Sequence, residues 1–455
     1  MIPGENIGNL PAPTLLATEQ VQGTPSLLDT LAVDAARPLS ILQGYIGVFI
    51  IAFVITLLCT PIVRKLAVQN GIVDNPTEAR KVHKMPIAYL GGIAVFCGIL
   101  AGIVYSYFAS EISGLIDFYP TEHLVDGMYQ PMLSPWIAVG MTSIVLVGLI
   151  DDIGGIAPRI KLGGQLVAAA ALAVGEVGTN VASGLLRPTL GRLLDNPDLI
   201  YSIPLPMELP MGMGSVLSID ITYWVGTAII GIFVLGACNA SNFIDGLDGL
   251  LTGVTSIAMV GLIAVALMMA VADDGAFDGP RIVLGLAVLG ACLGFLPHNF
   301  NPASIFLGDT GPLLLGYCSA VMILSLGDTG KTGLVFAGLV IYSIPIIDTA
   351  LAIISRKLAG RKMSDADDDH LHHMLKRAFG VKGAVFTLYG FGFVFCILGI
   401  AMSQFRARFI YALTLLIASY IGVYAIKIAR RSQIEEQAAA SMKPKGTDPD
   451  SPKPG

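Results

Sequence analysis

Apolar positions in this chain come in runs of about 20 residues, separated by short clusters of Asp, Asn, Gly, His and Lys, rather than as one-sided stripes. Each run can cross about 30 Å of hydrocarbon as an α-helix. The runs fall near residues 42–63, 88–108, 135–150, 162–177, 223–238, 250–271, 282–296, 312–326, 334–354, 384–402 and 409–428. A backbone in lipid must satisfy its own hydrogen bonds. The pattern therefore predicts an all-α, polytopic transmembrane helical bundle of about eleven spans, with the polar clusters as loops at the membrane faces.

Composition agrees: 54% of residues are hydrophobic and 13% charged, against about 45–50% and about 25% in soluble domains, and the mean hydropathy is +0.73. The formal charge of −6 says less than the placement of the charges. If the first span enters the cytoplasm at Arg64-Lys65, then 20 of the 27 basic residues fall in cytoplasmic stretches. The positive-inside rule then puts the N-terminus outside and the C-terminus inside. Residues 1–40 read as an irregular extracytoplasmic segment without the basic start of a signal peptide, so the first span is expected to be an uncleaved anchor. Residues 41–428 form the membrane domain, and 429–455 a disordered, Pro/Lys-rich cytoplasmic tail. Among the outside loops, residues 201–221 alternate in polarity and predict a short hairpin. The six cysteines sit in or beside apolar runs and behave as small hydrophobes. The expected surroundings are membrane lipids, not nucleic acid.

This topology puts every polar cluster on the cytoplasmic side. The densest is C-N-A-S-N-F-I-D-G-L-D-G-L over 238–250. If it is helical, Asp245 and Asp248 share one face; Asn239 and Asn242 lie upstream, and Gly246 and Gly249 keep the backbone bare for a ligand. The simpler alternative, a polar turn between two spans, needs one Asn or Asp and one Gly rather than two of each. Asp151-Asp152 ends the third span, and adjacent carboxylates at a membrane boundary repel unless a cation or proton relay uses them. Arg159 and Lys161 follow closely enough to hold phosphates beside them. In F-L-G-D-T-G, Asp309 sits between two glycines, with Phe306 three residues earlier as a candidate for stacking on a base, or else a core aromatic.

Asp309, Asp245, Asp248 and the Asp151-Asp152 pair together suit Mg²⁺, which takes a few carboxylates plus phosphate oxygens and water; Mn²⁺ is the alternative ion. His370, His372 and His373 follow an acidic run and can bind a diphosphate or exchange protons with it. Zinc is the rival there, disfavoured because no cysteine is near and the acids suit a hard cation. Asp348, alone in an apolar run, is either functional or paired inside the bundle. The basic run 80–84, ending at Lys84, leads into Gly91-Gly92 and suits either membrane orientation or an anionic substrate.

Six ordered segments resemble the polyprenyl-phosphate N-acetylhexosamine-1-phosphate transferases. They are D-N-P-x-x-x-R-K-V-H-K-x-P over 74–86, D-D-x-x-G-x-x-P-R-x-K over 151–161, N-A-S-N-F-I-D-G-L-D-G-L over 239–250, N-P-A-x-I-F-L-G-D-T-G over 301–311, P-I-I-D-T over 345–349 and H-L-H-H over 370–373. The resemblance implies eleven helices, Mg²⁺, a UDP-N-acetylhexosamine donor, undecaprenyl phosphate as acceptor, UMP as by-product and a place in the bacterial plasma membrane; related bundles suggest a homodimer. The muramoyl-pentapeptide transferases are a related branch with a P-T-M-G-G-type segment, where this chain reads P-I-A-Y-L-G-G. Two departures stand out: Ala88-Tyr89 where the hexosamine branch commonly has Pro-Arg, and Asp368-Asp369 where it has a basic residue before the histidines.

By the same resemblance, a lipid phosphate oxygen attacks the β-phosphorus of the UDP-sugar, the alternative being a two-step route in which an aspartate first forms a covalent phosphosugar intermediate. Asp309, with Asp245 or Asp248, holds the metal; Asp151 deprotonates or orients the lipid phosphate; Asp152 positions it. His370, His372, His373, Lys84 and Lys161 hold diphosphate and sugar, and Phe306 and Asn242 meet the uridine. A secondary transporter is the rival of another class. It would place its site near the bilayer midplane between repeated halves, whereas these acids crowd one face.

Overall fold

The computed structural model of the chain describes residues 27–74, 86–112, 115–116, 124–125, 128–129, 133–204, 216–272, 278–358, 370–405, 412–423 and 427. Lys84 and the rest of the basic run, the acidic run before His370 and the 429–455 tail lie outside these residues.

The long helices are α1 (Leu27–Gln69), α2 (Gly91–Ser110), α3 (Pro135–Gly154), α4 (Pro158–Val174), α6 (Ile221–Ile244), α7 (Leu250–Val271), α8 (Asp278–Asn299), α9 (Thr310–Ser325), α10 (Thr332–Ile341), α11 (Ser343–Leu358) and α12 (Leu371–Gln404). The short α5 (Ser183–Leu186) lies between α4 and α6. Strands are confined to two-residue pairs, β1 (Val73–Asp74) with β2 (Ile87–Ala88) and β3 (Leu124–Val125) with β4 (Met128–Tyr129), and to the antiparallel hairpin of β5 (Ile200–Pro204) and β6 (Val216–Asp220). That hairpin is the one the alternating pattern over 201–221 predicts.

Among the described residues, seven helices are long and apolar enough to cross a membrane, or nine if two bent pairs count as one span each. The chain is thus an all-α polytopic membrane protein. Two of the runs expected to be straight spans are broken. The α4 run bends by 77° before residues 179–191, and α10 meets α11 at 75°. Two further runs correspond to the shorter apolar helices Thr310–Ser325 and Ala412–Val423. The first of these, α9, is buried at every residue; walled by protein, it has no need of a lipid-spanning length. At the other extreme, α1 starts at Leu27, inside the segment expected to be irregular, because the Leu- and Ala-rich stretch before Pro38 favours helix.

Helices in lipid associate through close packing of small residues. Here α1 lies against both α2 and α8. A Cβ on Gly290 would stand 2.4 Å from the Phe49 carbonyl oxygen, and one on Gly294 2.4 Å from that of Phe53. On α2, a Cβ on Gly98 would overlap the Thr56 hydroxyl, while Gly102 faces Val48 and Ala52. Two pairs of glycines four residues apart therefore set the distance of α1 from its neighbours. Replacing Gly294 by Leu is expected to destabilise the detergent-solubilised protein by about 1–3 kcal/mol in thermal melts. Gly231→Ala, where nothing lies within 4 Å of the added atom, should leave the melting temperature unchanged.

Candidate active site

A cavity of about 690 Å³ opens where the C-terminal ends of α3, α6 and α8 meet the N-terminal ends of α2, α9 and α12. Its floor is the loop before α9, which runs beside the chain entering α2. Phe306 N–H donates to the Ala88 carbonyl at 2.9 Å, Gly91 N–H to Phe306 at 2.9 Å and Gly92 N–H to Leu307 at 2.8 Å. Side chains cannot fit in this contact: a Cβ on Gly92 would lie 2.3 Å from the Gly311 nitrogen. Gly308 is doubly constrained, by a φ of +68° and by the Asp152 carboxylate, 2.6 Å from where its Cβ would be.

Asp152 explains that approach. One of its oxygens accepts the Asp309 N–H at 2.5 Å; the other accepts the Thr310 N–H at 3.2 Å and the Thr310 hydroxyl at 2.6 Å. The free amides at a helix start need acceptors and favour negative charge, so Asp152 caps α9 from the end of α3. Asp152 also lines the cavity, so the residue expected to position the lipid phosphate ties α9 to α3 at the cavity wall. Its neighbour Asp151 accepts the Ile156 N–H at 2.8 Å, forms a short ion pair with Lys161 and hydrogen-bonds the Asp309 carboxyl. Lys161 also reaches Asp309 Oδ2 at 3.0 Å. Lys161 thus shares one positive charge between Asp151 and Asp309, while Arg159 is exposed and off the cavity wall.

Asp245 and Asp248 line the same cavity, but not as one face of a helix. α6 ends at Ile244 and α7 begins at Leu250, and the two acids sit in the break, turned by Gly249 with φ +75°. Asp248 Oδ2 accepts the Asn301 side-chain amide at 2.8 Å and the Ala303 N–H at 3.1 Å. Burial pushes the Asp245 carboxyl up to about 8, helped by the charges of Asp309, Asp248 and Asp152. Burial and the Asp151 contact raise Asp309 to about 6, against the opposing pull of Lys161. Asp245 and Asp309 are therefore deficient in positive charge, and the oxygen-only donor set around them fits a hard divalent cation. Asn242 and Phe306 line the cavity too.

The histidines divide. His373 faces the cavity, but His370 and His372 turn away from it. His370 Nδ1 lies 2.8 Å from one oxygen of the buried Asp348, and His372 Nδ1 3.1 Å from the other. The expectation that all three imidazoles touch the diphosphate is corrected accordingly. The cavity wall also contains residues given no role from the sequence: Lys376, Asn301 and Tyr89. Lys376 stands one helical turn after His373, a spacing that could have exposed it. The Tyr89 ring lies 6.1 Å from that of Phe306, and its hydroxyl, bonded to Asp74, titrates well above the ordinary tyrosine range, chiefly through burial.

An apolar bundle with a carboxylate-rich cavity at the ends of six helices defines a polytopic membrane protein with a polar cavity at one end of the bundle. A sequence profile described as Glycosyl transferase family 4 matches residues 134–327. The probable undecaprenyl-phosphate N-acetylglucosaminyl 1-phosphate transferase of Bacillus subtilis (strain 168) is 32% identical over 365 residues, covering 78% of this chain and 84% of the relative. The decaprenyl-phosphate N-acetylglucosaminephosphotransferase of Mycolicibacterium smegmatis is 30% identical over 397 residues, covering 83% and 86%. The phospho-N-acetylmuramoyl-pentapeptide-transferase of Desulforudis audaxviator is 29% identical over 365 residues, covering 77% and 96%. The chain belongs to glycosyl transferase family 4, within the group of polyprenyl-phosphate sugar-phosphate transferases that its motifs resemble.

A carboxyl held above its ordinary value keeps, in the folded chain, a proton that the unfolded chain has lost. Stability then falls as pH rises between the two values. In EDTA, melting temperature is expected to drop from about pH 4 towards pH 8, the upper limits being those of Asp309 near 6 and Asp245 near 8. Mg²⁺ should flatten the slope, and Asp245→Asn should remove part of it above about pH 6. Melting that rises with pH in EDTA would contradict the charge-crowded site.

Proposed function

We propose that the chain transfers N-acetylhexosamine 1-phosphate, with N-acetylglucosamine as the sugar, from the UDP-sugar to undecaprenyl phosphate. UMP is released at the cytoplasmic face of the bacterial plasma membrane, as the first step of a cell-envelope polysaccharide. The observation that carries this reading is the single cavity joining Asp151, Asp245, Asp248 and Asp309 to His373 and Lys376. The relatives named as N-acetylglucosamine phosphate transferases support it. The acids lie at one end of the bundle, as an interfacial enzyme requires, rather than midway between two halves as in a transporter. The distribution of basic residues supports the cytoplasmic orientation.

In this reaction an oxygen of the lipid phosphate forms a bond to the β-phosphorus, and the bond from that phosphorus to the bridging oxygen of UMP breaks. Several negative charges meet at one point, so catalysis consists of neutralising and aligning them. Asp309 and Asp245, with Asp248 beside them, would hold Mg²⁺, which when bound supplies charge neutralisation for the diphosphate. Lys161 keeps Asp151 and Asp309 together. Asp151 stands next to the metal ligands, where it can orient the acceptor phosphate or take its proton. His373 and Lys376 bring positive charge to the diphosphate. Phe306, with Tyr89 against it, offers an apolar wall to the uracil, and Asn242 a hydrogen-bonding edge.

Membranes or purified protein incubated with radiolabelled UDP-N-acetylglucosamine, undecaprenyl phosphate and Mg²⁺ are expected to yield a butanol-extractable labelled lipid and UMP. A transporter or scaffold would yield neither. Asp309→Asn should abolish UMP release while leaving the protein folded. Near-normal turnover by that variant would overturn the assignment of Asp309.

A further inference from the structure

We propose that Asp348 is a positioning residue for this site: from within α11 it fixes the first turn of α12, and so the placement of His373 and Lys376 on the cavity wall. The inference rests on the proposed reading of the cavity and adds a residue to it.

α12 is not one rigid rod. At Gly380 the backbone leaves helical geometry, with φ +71° and ψ 177°, which separates residues 371–379 from the long spanning part. The segment bearing His373 and Lys376 therefore needs its own anchor. Its N-cap residue, His370, makes no side-chain cap bond. Asp348 does that work from another helix: Oδ1 accepts the backbone N–H of His372 at 3.3 Å. The same carboxylate takes the imidazoles of His370 at 2.8 Å and His372 at 3.1 Å. A carboxylate only accepts, so both Nδ1 atoms carry hydrogen and both rings are fixed in tautomer and direction.

Burial puts these three residues out of a substrate's reach: relative exposure is 0% for Asp348, 6% for His370 and 1% for His372. They act through what they hold. The His372 ring packs on the break between α6 and α7, its Nε2 2.4 Å from where a Cβ on Gly246 would stand. One buried acid thus ties the α12 turn with the diphosphate-facing cations to the turn carrying Asp245 and Asp248. An uncompensated acid in an apolar span would be strongly disfavoured; two imidazoles and an amide account for this one. The three ligand atoms lie within 4.8 Å of one another, close enough for a metal, but each nitrogen stands at hydrogen-bond distance from its own oxygen.

The test is a double-mutant cycle on binding of radiolabelled UDP-N-acetylglucosamine, with Mg²⁺ and without lipid acceptor. Gel filtration and thermal melts check that each variant is folded. His373→Gln, Lys376→Gln and Asp348→Asn are each expected to weaken binding by about tenfold. In the Asp348→Asn background the first two should add less than about twofold, because the turn they sit on has already lost its register. Asp348→Glu should restore part of the loss. If Asp348→Asn does not fold, the cycle is run with His372→Gln, which removes one arm of the anchor. Multiplicative losses, wild-type binding by the Asp348 variant, or stoichiometric zinc in the purified protein would overturn the proposal. Failure of the wild-type chain to bind UDP-sugar or make labelled lipid would remove the underlying reading instead, and the inference with it.

Discussion

Repulsion among carboxylates forced into one cavity is the constraint on which the rest of this structure depends. Asp151, Asp245, Asp248 and Asp309 come from three separate stretches of chain, yet all line one space where burial weakens screening. Each is held by a different device. Asp151 and Asp309 share Lys161, Asp248 accepts two N–H groups, and Asp245 responds by a raised affinity for protons. An apolar bundle has no reason to assemble such a cluster for stability alone. In the proposed function a divalent cation would offset this crowding.

What keeps these acids together against their repulsion is backbone packed on backbone. The loop before α9 lies against the chain entering α2 because Gly91, Gly92 and Gly311 leave no side chain between them. α9 itself is buried throughout, so its N-terminus can move little, and Asp152 ties that end to α3. The small-residue contacts of α1 with α2 and α8 belong to the same scheme. Rigid helices meet at their ends, and the ends carry the chemistry.

Much of this was legible in the sequence, because lipid imposes a long apolar period and the polar clusters interrupt it. The helical class, the hairpin over 200–220 and the acid-and-glycine turns all leave local signals. Orientation does not. Nothing within the Asp151-Asp152 pair tells that the second acid reaches the amides of Asp309 and Thr310, more than 150 positions along the chain. Asp245 and Asp248 have helical spacing, yet Gly246 and Gly249 let the chain open between α6 and α7 instead. His370 and His372 turn inward because Asp348 waits in the facing helix, a pairing invisible without the fold. Tyr89 departs from the residue common in the resembled branch, and only its place beside Phe306 marks it as part of the cavity.

The central claim is that acids distant in sequence form one cation-binding centre, and Mn²⁺ binding followed by electron paramagnetic resonance tests it without any turnover. Purified protein is expected to bind one Mn²⁺ tightly, displaced by Mg²⁺, with the site lost in both Asp245→Asn and Asp309→Asn. Undiminished Mn²⁺ binding by either variant, or two sites lost independently, would contradict a shared centre.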